Sequence, residues 1–118
     1  VAGTDSPGAK MMSEILGGEL GPFTGESYDA AALIMLAMQA AGSTSSADFA
    51  GKVMDVANAP GEKIYPGELA KALKILADGG DVDYVGASAV ELIGQGESAG
   101  SYREILVDGA KNTTVGYR

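Results

Sequence analysis

Cysteine, histidine and tryptophan are all missing from this chain. Without cysteine there can be no disulfide, no thiolate nucleophile and no zinc–thiolate site, an absence equally at home in an oxidising or a reducing compartment. Without histidine the commonest general base near neutral pH and the commonest transition-metal ligand are both gone. Any catalysis would rest on carboxylates alone, and no nucleophile–base pair stands out to support it. Positive charge is scarce as well: 8 Lys and Arg against 16 Asp and Glu give a net charge of −8. No basic run exists, so nucleic acid and anionic membranes are poor partners. The acidity serves solubility. No cofactor and no metal is expected. The chain opens Val1-Ala2-Gly3-Thr4, with no initiator Met and no charged-then-apolar leader, which is read as processing or as a piece of something longer.

What is present is organised around one apolar stretch, Ser27 to Gly42. Alanine and unbranched apolar residues dominate it, and these lose little rotamer freedom in a helix. Gly42 supplies a left-handed stop. Between Ala30 and Ala41 only Gln39 is polar, so no projection gives a broad wet face. The segment is too short and too alanine-rich for a membrane span, and the expectation is a central helix covered on nearly all sides.

Around it the chain reads in short units. Val1 to Thr4 is the end of a strand, and Asp5-Ser6-Pro7-Gly8 is a turn that starts a helix over Ala9 to Leu16, with Met11, Met12, Ile15 and Leu16 to one side as core. Phe23 stands before the central helix, which starts between it and Tyr28. Ser43 to Ser46 offer caps for a second helix from Ala47 to Ala57, apolar along Phe49, Val53 and Val56. Pro66 opens a third, striped by Leu69, Ala72, Leu73 and Leu76 and stopped at Asp78-Gly79-Gly80. The last third is strand-like at Ser88 to Ile93, Tyr102 to Val107 and Thr113 to Tyr117, with Asp108-Gly109 as a hairpin dipeptide. Three to four helices followed by a small C-terminal β-hairpin or sheet make an incomplete α/β pattern.

Three patterns imitate chemistry and fail on spacing or context. Gly94-Gln95-Gly96 to Gly100 lacks the third glycine in place and is followed by a strand, not the helix a dinucleotide phosphate requires. Asp81-Val82-Asp83 begins like a calcium loop, but Val85 and Leu92 stand where ligands belong, and the segment is read as a solvated turn. Glu62 and Glu68 are read as exposed charges.

Five segments in order carry a resemblance: Gly21-Pro22-Phe23-Thr24-Gly25-Glu26-Ser27-Tyr28-Asp29-Ala30-Ala31, Gln39-Ala40-Ala41-Gly42-Ser43, Pro60-Gly61-Glu62-Lys63-Ile64-Tyr65-Pro66-Gly67-Glu68, Asp81 to Ser88, and Gly100-Ser101-Tyr102. Together they resemble the C-terminal part of the branched-chain amino-acid-binding proteins, the periplasmic type 1 solute-binding components of ABC importers. The likeness spans nearly all of this chain but only the last third of such a protein. It implies a partial lobe of a two-lobed hinged α/β receptor, a small solute such as an amino acid in the cleft between lobes, and a membrane permease as partner. Phe23 is placed at the cleft by this likeness, with Glu26 and Ser27 as neighbours. A helix start and an aromatic wall suit a carboxylate and an aliphatic side chain. The residues alone leave another role open, with Phe23 stapling the helix entry and Glu26 a solvated first-turn acid. The expectation is a C-terminal fragment, residues 1–118, that binds solute weakly or not at all alone and is prone to self-association. A second function class is a helical docking module presenting Phe49 and Leu73 to a protein partner.

Overall fold

The computed structural model describes residues 1–118. It is a mixed α/β domain in which the expected central helix, α2 (Thr24–Ala41), packs against three other helices. Before it, α1 (Pro7–Leu16) begins with Pro7 just inside the helix and the Ser6 Oγ accepting from the Ala9 N–H at 3.1 Å. It ends on Gly17, left-handed, with the N–H groups of Gly17 and Gly18 returning to the carbonyls of Glu14 and Ser13. Gly42 closes α2 the same way, onto Gln39 and Met38.

The second expected helix is two. Helices α3 (Ser46–Phe49) and α4 (Lys52–Ala57) are separated at Ala50 and Gly51, where a glycine in a helical interior costs about 1 kcal/mol. The third starts later than Pro66, because Gly67 sits at φ +88; α5 covers Leu69–Ala77 behind a turn in which Glu68 accepts from the Tyr65 N–H at 2.8 Å. Its stripe and that of α3–α4 are spoken for: Phe49, Val53, Leu69, Leu73 and Leu76 pack against the core.

The strands are not confined to the C-terminal third. Strands β1 (Glu62–Ile64) and β2 (Val82–Tyr84) pair in parallel, Glu62 opposite Val82 and Ile64 opposite Tyr84, with α5 as the crossover between them. Asp81 to Gly86 is therefore not a solvated turn. Its acidic residues disguise an alternation in which Val82 and Tyr84 point into the core and Asp83 away from it. The segment Ser88 to Ile93 splits into a turn and β3 (Glu91–Gly94), which pairs with β4 (Glu97–Ala99) across Gln95-Gly96. Asn58, at the end of α4, ties β3 down with both halves of its amide, donating to the Leu92 carbonyl at 2.7 Å and accepting from its N–H at 2.9 Å. Strands β5 (Arg103–Asp108) and β6 (Lys111–Tyr117) form the expected hairpin, its two-residue turn falling at Gly109-Ala110. Tyr102 extends β5 between the two chain ends: Gly3 N–H to Ser101 O and Arg103 N–H to Val1 O on one edge, Arg118 on the other.

One core of ten buried residues lies under α2, drawing on Ala32, Leu33, Leu36, Ala37, Val56, Ile64, Val82 and Tyr84 among others. A smaller one joins Ala9, Met12, Leu20 and Ala87. Helix α2 is not wrapped on nearly all sides: Ile34 and Met35 remain 44% and 46% exposed beside the exposed Ala30 and Ala31. The β5–β6 hairpin leaves Leu106, Val107, Val115 and Tyr117 open as well. The radius of gyration, 15.1 Å, exceeds the roughly 13.5 Å usual for this length, consistent with a hairpin standing away from the helices. No helix is long and apolar enough to cross a membrane.

Candidate functional site

Beside the start of α2 lies an open groove of about 450 Å³, lined mainly by apolar surface. Its walls come from four places in the chain: the α2 face with Phe23, Glu26, Ala30 and Leu33; Ser88, Val90 and Leu92; the run from Ser98 to Tyr102; and Val1 and Ala2. The size and the apolar lining with few polar groups are those of a small-molecule site.

Phe23 is the residue immediately before α2, and its conformation is unusual. Its backbone is left-handed, φ 63, and the residue is 62% exposed at the groove. A non-glycine residue there carries strain of order 1 kcal/mol, and the ring is not repaid by burial. The stapling role left open by the residues requires a packed ring, and this ring is mostly free. No side chain caps α2, and the N–H groups of Gly25 and Glu26 meet no acceptor. Glu26 lines the groove, but its Oε1 accepts from the Ala2 N–H at 2.8 Å and so holds the N-terminal strand against the helix. Ser27 is exposed and stands outside the groove lining, so the structure brings together Phe23 and Glu26 but not Ser27.

Beneath the groove the chain carries a buried carboxylate. Asp29, only 2% exposed, accepts from the Tyr84 hydroxyl at 2.8 Å, the Ala87 N–H at 2.9 Å, the Ser88 N–H at 2.7 Å and the Ser88 hydroxyl at 2.5 Å. Four donors match the capacity of an ionised carboxylate. Helix, sheet and the Ser88 wall are thereby locked together. Burial, and then the Asp29 charge beside it, push the Tyr84 phenol well above its ordinary value. Between pH 10 and that raised value the folded chain keeps a proton the unfolded chain has lost, so stability holds up to about pH 10 and falls above it by up to about 1.4 kcal/mol per pH unit. Denaturant titrations between pH 8 and 11.5 should show this extra alkaline loss in the native sequence and lack it in Tyr84→Phe; equal slopes would contradict it.

Sequence reading missed Tyr102 and Val90 as groove residues and Asp29 as the anchor of the Ser88 wall. Tyr102 closes the Gly100-Ser101-Tyr102 segment, but only the pairing of Ser101 to Arg103 with Val1 to Gly3 brings it here. Glu62 and Glu68 are occupied separately, Glu62 by Lys71 and Glu68 by the Tyr65 N–H. The Glu62 hydrogen bond raises the Lys71 ammonium's affinity for its proton. No group of carboxylates is gathered to hold a metal ion. What the fold and site define is an α/β domain with a shallow groove at a helix start; comparison with family models, curated proteins and solved structures returns no match.

Proposed function

We propose that this chain is part of the solute-binding component of an ABC importer, acting in the periplasm, and that it forms one wall of the cleft that captures a small solute, an amino acid or related metabolite, for delivery to the permease. The observation that carries this reading is Phe23: a mostly exposed aromatic residue on a strained left-handed backbone at the mouth of an apolar groove, next to unpaired N–H groups of an uncapped helix. Strain held without local burial belongs to sites that meet a ligand. An apolar wall takes the aliphatic part of such a solute, and the free N–H of Glu26, a residue that lines the groove, takes its carboxylate. The uncovered side of α2 at Ile34 and Met35 supports the same reading, since a second lobe or further strands would give it neighbours.

A single wall binds weakly. Amide NMR spectra of the chain titrated with a panel of amino acids should show shifts concentrated at Gly25, Glu26 and Tyr102, saturating only in the millimolar range and abolished by Phe23→Ala. Micromolar affinity would contradict the one-wall reading, and an unperturbed groove at every solute would remove the groove as the site.

A further inference from the structure

The eight cations of this acidic chain are unevenly used. Lys52, Lys71, Lys74 and Arg118 each meet a carboxylate. Arg103 and Lys10 do not, yet both line a second cavity, of about 560 Å³, which shares no residue with the groove described above. Among the buried side-chain nitrogens and oxygens of the chain, the Arg103 Nε is the one without a hydrogen-bond partner. A guanidinium remains protonated at any working pH, and a desolvated N–H with no acceptor is a rare and costly arrangement. The backbone offers Arg103 no slack to move away from it. Its N–H is bonded to Val1 O, and its strand is registered opposite Tyr117. Around the same cavity stand Thr4 and Tyr117, whose hydroxyls are 3.1 Å apart. One of the two donates in that bond, which leaves the other hydroxyl's proton free for an acceptor.

We propose that Arg103 and Lys10 form a binding site for the oxyanion of a small ligand, a carboxylate or a phosphate, with the Thr4–Tyr117 hydroxyl pair supplying an additional donor. The planar guanidinium suits either group, since both present two oxygens to its fork. Glu14 and Glu19 line the same cavity, so a singly charged oxyanion, a carboxylate or a monoanionic phosphate, is favoured there over a dianion. A single buried water is the competing partner for Nε, and it gives no response to added anion.

The test follows the Arg103 Nε–H resonance in ¹⁵N-labelled chain at constant ionic strength, titrated with inorganic phosphate in one arm and acetate in the other. A saturable shift is expected in at least one arm, and the arm that responds identifies the group. Arg103→Met should weaken the binding seen at neighbouring amides by about tenfold or more, and Lys10→Met, at an exposed helix position that the fold does not need, by a smaller factor. No response in either arm, or shifts that rise linearly and persist in both variants, would overturn the site. Since the groove shares none of its residues, either result leaves the solute-wall reading to its own titration.

Discussion

Replacing Asp29 with alanine is expected to remove about 3–5 kcal/mol of folding stability, a large fraction of the roughly 5–15 kcal/mol a domain of this size holds. The loss comes less from the aspartate's own hydrogen bonds than from the donors it leaves behind. The Tyr84 hydroxyl and Ala87 N–H are buried, and the Ser88 N–H is partly so; all would face a space lined by carbon. Asp29→Asn is a sharper probe because it keeps the shape. Its oxygen can still accept from Tyr84 and Ala87, but its NH₂ would meet the Ser88 N–H donor to donor, so a loss of about 2 kcal/mol is expected. Urea midpoints measure both. A loss below about 1 kcal/mol for the alanine variant would mean the carboxylate is not the junction described.

The second large effect is expected at Gly86. This residue has φ +62, and a Cβ there would overlap the Asp29 carboxylate and lie 2.6 Å from the Tyr84 ring. Neither neighbour can yield, because one is held by four donors and the other is fully buried. Helix α1 closes the remaining side: a Cβ on Gly8 would overlap the Gly86 carbonyl. Gly109 gives the control. It is also left-handed, φ +60, but nothing lies within 4 Å of its would-be Cβ. Gly109→Ala should cost about 1–2 kcal/mol, the backbone strain alone, and Gly86→Ala about 2–3 kcal/mol beyond that. Equal losses in the two variants would show that backbone strain, not packing, sets the glycine at 86.

Both sites illustrate what the residue order discloses and what it conceals. Helices α1 and α2 were legible because their stops are local: Ser6-Pro7 at one start, Gly17 and Gly42 at the ends. The β5–β6 hairpin was legible because short runs of β-branched and aromatic residues, Ile105 and Val107 before it and Val115 and Tyr117 after it, flank the Asp108-Gly109 dipeptide. The parallel pairing of β1 and β2 was not, since three-residue strands carry almost no periodic signal and their partner lies across a whole helix. At the groove, Phe23 and Glu26 stand out in the sequence only through the resemblance of one segment to a receptor family; both line the groove, while Ser27, from the same segment, turns outward. Helical rotation separates the last two. Asp29 read as an ordinary helix residue, because its four donors come from residues 84–88 and no local pattern announces them.

The placement of Tyr102 has a practical consequence. Its two hydrogen-bonding edges are taken by opposite ends of the polypeptide, residues 1–3 on one side and Arg118 on the other, which sets those ends about 10 Å apart, two strand spacings. Anything appended to either end, whether an affinity tag or a fused domain, emerges beside the same aromatic side chain, and a short linker can join the two ends without crossing the helices.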